Sequence, residues 1–198
     1  MAVQLSLYSL EDDVATVKRG VDLMNGPVIL VGHSYGRFVI TNAAFENPKI
    51  NGLVYLAAFA PDEGQSMSDF VDSSTFPKDF FVFDDGGFFF VNQDMFHQII
   101  IQDIDPDEAK ILSAVQKPTS KSIPYAKSGP PAWKNIPSWY QISENDQVIS
   151  SDLEKMFARQ INVVTTLSLQ SSHLSPISHP NEISQFIINA TEKCPLIK

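Results

Sequence analysis

The stretch Val28-Ile29-Leu30-Val31-Gly32-His33-Ser34-Tyr35-Gly36 decides how the rest of the chain is read. Its first four residues are apolar, as in a strand buried on both faces. A G-x-S-x-G sequence follows at once, and residues from about Tyr35 to Asn47 read as a helix that Asn47-Pro48 ends. A serine in so tight a strand-to-helix turn takes a strained backbone conformation, and the residues two before and two after it have to be small. The turn holds the hydroxyl of Ser34 above the sheet at the positive end of a helix. It also aims the backbone N–H of Tyr35 at the place where an oxyanion would form. Ser34 is therefore the candidate nucleophile; the bland alternative is a glycine-rich turn with a surface serine.

Outward from this turn the chain alternates. Met1–Tyr8 carries Val3, Leu5 and Leu7 on one face and reads as a short strand. Ser9 caps a helix whose stripe is Leu10, Val14, Val17, Val21 and Met24, and Asn25-Gly26-Pro27 stops it. Gly52–Ala58 is a second buried strand. After residue 131 the pattern resumes with a strand over Ser138–Ile142, a helix over Ser151–Gln160, a strand over Asn162–Leu169 and a helix over Pro180–Glu192. Strands alternating with helices predict an α/β architecture, a mostly parallel sheet with helices on both faces.

Between about Pro61 and Pro131 the alternation breaks, and most of the phenylalanines fall there, including Phe80-Phe81, Phe83 and Phe88-Phe89-Phe90. Two helices are predicted inside it, over Gln93–Ile101 and Pro106–Gln116. An insertion at the carboxyl end of a strand lies where an open α/β sheet places its ligand, so this one is a candidate lid. Phe88, Phe89 and Phe90 are candidate substrate contacts and Gly86-Gly87 a candidate hinge. The same phenylalanines equally fit a small secondary core.

A serine nucleophile needs a base, and the base an orienting acid. Of the four histidines, His33 lies within the turn and fits a packing or hydrogen-bonding role. His97 falls on the insertion's helical surface, and His179 precedes Pro180 at the start of the last helix, a capping or structural place. His173 follows the last strand in a loop that can reach back over the sheet, so it is the favoured base. The loop after Ser138–Ile142 offers Glu144 and Asp146 as acids, with Asp146 favoured, and Asp152 belongs to the next helix's first turn. The resulting order is Ser34, Asp146, His173.

Composition narrows the partners. The 198 residues carry 14 Lys and Arg against 23 Asp and Glu, a net charge of −9, which disfavours nucleic acid. With 43% hydrophobic and 19% charged residues the chain can build a sizeable core. No apolar run approaches the roughly 20 residues of a membrane span. Met1–Tyr8 has no positive charge of the kind that opens a signal peptide. The single cysteine, Cys194, allows no internal disulfide and has no metal-ligand neighbours. The expectation is a cytoplasmic chain with no membrane partner and no metal.

Taken in order, five segments carry a resemblance: Gly32-His33-Ser34-Tyr35-Gly36, Leu53-Val54-Tyr55-Leu56-Ala57-Ala58-Phe59-Ala60-Pro61, Ile136-Pro137-Ser138-Trp139-Tyr140, Asn145-Asp146-Gln147-Val148-Ile149, and Ser172-His173 followed by Ser178-His179-Pro180. The chain resembles the small α/β-hydrolase esterases, in the branch similar to plant methylesterases and hydroxynitrile lyases. The resemblance spans nearly the whole chain. It implies a single α/β-hydrolase domain over 1–198 with a helical lid over about 61–131. It gives Ser34 as nucleophile, Asp146 as acid, His173 as base and Tyr35 N–H as oxyanion donor. It implies a small ester as substrate and no cofactor. Two departures stand out. Arg37 occupies a position where the family usually has a second glycine. The family's sequences also open on a strand and an H-G-x-x motif, which these 198 residues do not contain. The missing strand would lie between Val3–Leu7 and Val28–Val31, leaving a gap of roughly 10 Å or forcing re-pairing, and its loop would supply a second oxyanion donor. Three functions follow: cleavage of small carboxylic esters through an acyl-enzyme, lyase chemistry on the same triad, or a truncated non-catalytic small-molecule binder. The lyases use a lysine in the lid, and no lysine here aligns with it.

Overall fold

The computed structural model describes residues 1–161 and 163–194. Helix α1 (Leu10–Asp22) begins at Ser9, whose side chain accepts the N–H of Asp12, and buries Leu10, Val17 and Val21. Strand β1 (Val28–His33) leads through Ser34 into α2 (Gly36–Ala44), and β2 (Ile50–Leu56) follows. The insertion contains β3 (Phe81–Phe83), β4 (Phe88–Val91), α3 (Gln93–Ile100), α4 (Pro106–Ala114) and β5 (Thr119–Ser120). The chain then returns through β6 (Ser138–Ser143), α5 (Ser151–Gln160), β7 (Thr165–Leu169), the short α6 (Ser175–Ser178) and α7 (Pro180–Lys193). The last strand was expected from Asn162, which lies outside the described residues.

The main sheet runs in the order β1-β2-β6-β7, all parallel, with Val31 opposite Val54 and Tyr55 opposite Tyr140. Successive side chains of β2 serve opposite faces, as the two-residue period of a strand requires. Leu53 and Tyr55 pack with Leu10, Val17, Phe38, Ile40 and Phe157 of α1, α2 and α5. Val54 and Leu56 pack with Trp139 and with Ile183, Phe186 and Ala190 of α7. These two apolar layers are the helices-on-both-faces arrangement that alternation predicts.

The expected strand over Met1–Tyr8 does not form. Among the described residues β1 is hydrogen-bonded to β2 alone, so Val3–Leu7 does not join the main sheet. The segment instead lies against α1, with Val3 close to Gly20. Its backbone finds other partners: Asp13 Oδ1 accepts the N–H groups of Ser6 at 2.7 Å and Leu7 at 3.1 Å. Leu7 O accepts from Ser120 N–H, and Lys117 Nζ donates to Leu5 O. Between gap and re-pairing the outcome is a gap, a cavity of about 690 Å³ lined by Val3, Leu5, Leu7 and the length of β1, up to Ser34.

The insertion holds more order than the sequence predicts. Its strands make a second, antiparallel sheet in the order β3-β4-β5. Gly86-Gly87 belongs to the β3–β4 hairpin turn: Gly87 has φ +88°, Asp84 N–H donates to Phe88 O, and Phe88 N–H donates to Asp84 Oδ1. The hinge reading gives way to this turn, which needs a residue with positive φ. Beneath the hairpin, Phe80, Phe96, Ile99, Ile100, Ile101 and Ala109 form a separate core. Trp133 Nε1 donates to Pro61 O and closes the insertion's two ends together.

Candidate active site

The turn after β1 has the strain its sequence demands. Ser34 has φ +48°, in the left-handed region that L-residues rarely adopt. Its N–H donates to Leu56 O at 3.1 Å, and its C=O accepts from Arg37 N–H at 3.2 Å, so the residue is gripped from both sides. A Cβ on Gly32 would stand 2.8 Å from Gly36 O and 2.9 Å from Arg37 N, which forbids any side chain there. Gly36 differs from expectation, since a Cβ there would meet nothing within 4 Å. The steric demand of the turn falls on its first glycine alone.

Three loops at the carboxyl ends of β1, β6 and β7 bring the predicted side chains together. His173 Nε2 is 2.9 Å from Ser34 Oγ, and His173 Nδ1 is 2.6 Å from Asp146 Oδ2. Asp146 Oδ1 accepts the N–H groups of Val148 at 2.7 Å and Ile149 at 2.9 Å, which locks the carboxylate in the turn after β6. Burial opposes the charge of Asp146, but the imidazole and those two N–H groups outweigh it and hold the carboxyl below its ordinary range. Tyr35 stands at the N-cap of α2, where the first helical N–H groups have no partner within the helix. Its hydroxyl donates to Asp13 Oδ2 at 3.0 Å, and burial followed by the Asp13 charge raises its pKa well above the ordinary phenol value.

The other sequence candidates fall elsewhere. His33 Nε2 donates to His173 O at 2.7 Å, so it holds the backbone of His173. Burial, and then the neighbouring His173, lower its pKa to about 4 and keep it neutral. Glu144 pairs with Lys155 at 2.7 Å and accepts from Ser168 Oγ, away from the imidazole. His179 occupies the N-cap position of α7 without a side-chain capping bond. It meets Ser178 Oγ at 2.9 Å and lies 3.9 Å from Asp103. His97 bonds Ile104 O. Phe88 stands edge-on to Tyr8 at 5.1 Å, and Phe89 packs on Phe81 and Phe83. None of Phe88, Phe89 and Phe90 is among the residues lining the cavity at Ser34.

Sequence reasoning missed the burial of three charged residues, Asp13, Arg37 and Glu154. Arg37 is fully buried, with its guanidinium 4.1 Å from the Tyr55 ring centroid and 5.0 Å from that of Tyr140, and it donates to Ala58 O. Aromatic faces thus take up the cation where a glycine was expected. Glu154 of α5 is also fully buried. The signal that could have found it is Ser-Trp-Tyr-Gln-Ile-Ser in β6, a strand buried throughout that nonetheless holds Gln141 and Ser143, since such residues require buried partners. Among the described residues no cluster of His, Cys, Asp and Glu is arranged to hold a metal ion, and no helix is long and apolar enough to cross a membrane.

The chain belongs to the alpha/beta hydrolase family, whose family model matches residues 3–186. Solved structures share the fold at low identity. A pyrethroid hydrolase from Sphingobium faniae JZ-2 superposes with a TM-score of 0.78 at 20% identity, over 93% of this chain and 78% of that one. An extracellular alpha/beta-hydrolase from a Paenibacillus species gives 0.78 at 18% identity, over 96% and 83%. A methylesterase from Arabidopsis gives 0.75 at 16%, over 94% and 80%. A carbendazim hydrolyzing esterase of Nocardioides sp. (strain SG-4G) is 61% identical over 41 residues, which span 20% of this chain and 17% of that esterase.

Proposed function

We propose that the chain is a serine hydrolase that cleaves small carboxylic esters through an acyl-enzyme. The observation that carries the reading is the continuous relay Ser34 Oγ–His173 Nε2 and His173 Nδ1–Asp146 Oδ2, with a serine strained at φ +48° at its head. Ser34 Oγ attacks the ester carbonyl while His173 Nε2 takes its proton, and Asp146 holds the proton on Nδ1 and stabilises the imidazolium. The Tyr35 N–H stabilises the oxyanion. The tetrahedral intermediate collapses, and the alcohol leaves with the proton from His173. Water then repeats the sequence and frees the acid and Ser34.

The insertion is the site's cover in this reading, and contact of Phe88, Phe89 and Phe90 with substrate is part of the proposal. The esterase names of the relatives agree with it. The test is a fluorophosphonate probe with intact-mass readout, together with hydrolysis of p-nitrophenyl acetate and butyrate. One adduct on Ser34, lost in Ser34→Ala and strongly reduced in His173→Ala, is the expected result. An adduct elsewhere, or undiminished labelling of His173→Ala, contradicts it.

A further inference from the structure

Beneath the triad lies a layer of polar side chains sealed from solvent. Ser143 Oγ, at the end of β6, accepts from Gln141 Nε2 and from Ser171 Oγ, both at 3.0 Å, and Ser175 Oγ donates to Gln141 Oε1 at 2.7 Å. All four residues have 0% exposure. Ser171 and Ser175 bracket His173, and Asn145 N–H donates to Ser171 O at 3.1 Å. The loop carrying the acid and the loop carrying the base are therefore tied together through Ser143. The N–H of Ser143 in turn donates to Glu154 Oε2 at 3.0 Å.

Glu154 sits in the first turn of α5 with its side chain fully buried, and its carboxyl is engaged by that of Asp146. Three groups face it from three elements: Asp146 from the β6–α5 loop, Tyr140 from β6 and Arg37 from α2. Burial first, and then the charge of Asp146, push its carboxyl up to about 10, with the Ser143 N–H and Arg37 opposing. A carboxyl buried beside another carboxylate is a poor choice for stability, where an apolar side chain of similar size does as well or better. Its place demands another reason.

We propose that Glu154 is a positioning residue for the triad's acid, holding the end of β6 through the Ser143 N–H so that Asp146 addresses His173 from a fixed place. The inference rests on the triad reading. The bond from Ser143 stands three residues before Asp146, and Asp146 N–H donates back to Ser143 O at 3.2 Å. Displacing Ser143 therefore displaces the carboxylate that sets the imidazole's orientation, and misplacements of about 1 Å cost on the order of a hundredfold in rate. Glutamine can accept the same N–H without a proton to lose, whereas leucine fills the space and accepts nothing.

The experiment compares Glu154→Gln, Glu154→Leu and Ser34→Ala with the wild type in three readouts. These are kcat and KM on p-nitrophenyl acetate, the low-field proton resonance of the His173 Nδ1–Asp146 bond, and melting temperature from pH 5 to pH 9. Glu154→Gln is expected to keep kcat within about threefold and to keep the low-field proton. It should also lose less stability than the wild type as pH rises. The wild-type carboxyl is protonated when folded and ionised when unfolded between its ordinary value of 4.5 and about 10, so the unfolded state holds fewer protons there and stability falls with pH. Glu154→Leu is expected to lower kcat about tenfold or more at unchanged KM and to shift the low-field proton; Glu154→Met gives the same reading should the leucine variant fail to fold. Wild-type kcat and an unmoved proton in the leucine or methionine variant overturn the inference, as does a glutamine variant equally impaired. Activity surviving Ser34→Ala overturns instead the triad reading on which it rests.

Discussion

β1 and β2 are register partners with similar apolar sequences, and they live in different surroundings. Val54 has no exposed surface, while Val31, directly opposite it, is 39% exposed. β2 is covered on both faces and both edges, whereas β1 has β2 on one edge and the 690 Å³ cavity along its flank. An apolar run thus states which neighbours a strand is suited to; its burial depends on which neighbours arrive. The contrast carries over to the site. Asp146 follows a strand buried throughout, while Ser34 follows the strand at the sheet's edge and is held by its own turn together with Leu56 O of β2.

The largest effect expected is on the covered side. Asp146→Asn keeps the shape of the turn but reverses which atom donates to the imidazole. It should lower kcat about 10⁴-fold with a nearly unchanged melting temperature, measured by steady-state ester hydrolysis and thermal unfolding. A loss of kcat that instead tracks loss of fold would erase the difference between the two sides. On the Ser34 side, Gly32→Ala drives a Cβ into Gly36 O and should cost about 1–3 kcal/mol and on the order of a hundredfold in kcat/KM. Gly36→Ala, with nothing within 4 Å, should spare both. Equal damage at the two glycines would show that the turn is tight at both ends.

His33 links the sides and makes the comparison pH-dependent. Its folded value of about 4 lies below the unfolded 6.5, so between them the unfolded state binds more protons and stability falls as pH drops through that window. The fall should be on the order of 2–3 kcal/mol by chemical denaturation at pH 7 and pH 4, and His33→Asn should flatten it. A smaller difference separates the register partners themselves. Val54→Ala is expected to cost about 2 kcal/mol and Val31→Ala below about 1 kcal/mol, by denaturant midpoints. The least effect belongs to Glu144→Gln. It removes a partly exposed pair with Lys155 worth at most about 1 kcal/mol and should leave kcat unchanged.

What was legible in the sequence follows the same line. β6, α5 and α7 were readable to within a residue or so because local pattern and tertiary cover agree there. That the side chains of Ser34, Asp146 and His173 meet was readable because strand ends and loop chemistry fix where each can reach. Met1–Tyr8 was misread because alternation reports a face suited to burial and is silent on whether a ladder partner stands beside it. The β3–β4 hairpin was hidden by a run of phenylalanines too uniform to show a period, and Gly86-Gly87 was read as a hinge although Asp84 ties it into a turn. Arg37 and Glu154 escaped because a lone charge in an amphipathic helix looks like a solvated one until the packing of Tyr55, Tyr140 and Asp146 around them is known.

Asp13 has a practical consequence at the chain's first residues. One of its carboxylate oxygens holds the backbone of Ser6 and Leu7, and the other holds the hydroxyl of Tyr35, the residue that follows Ser34. Residues 1–8 are therefore a tether with its far end beside Ser34. An affinity tag or a protease cut placed there acts on a segment that Asp13 connects to the turn carrying Ser34.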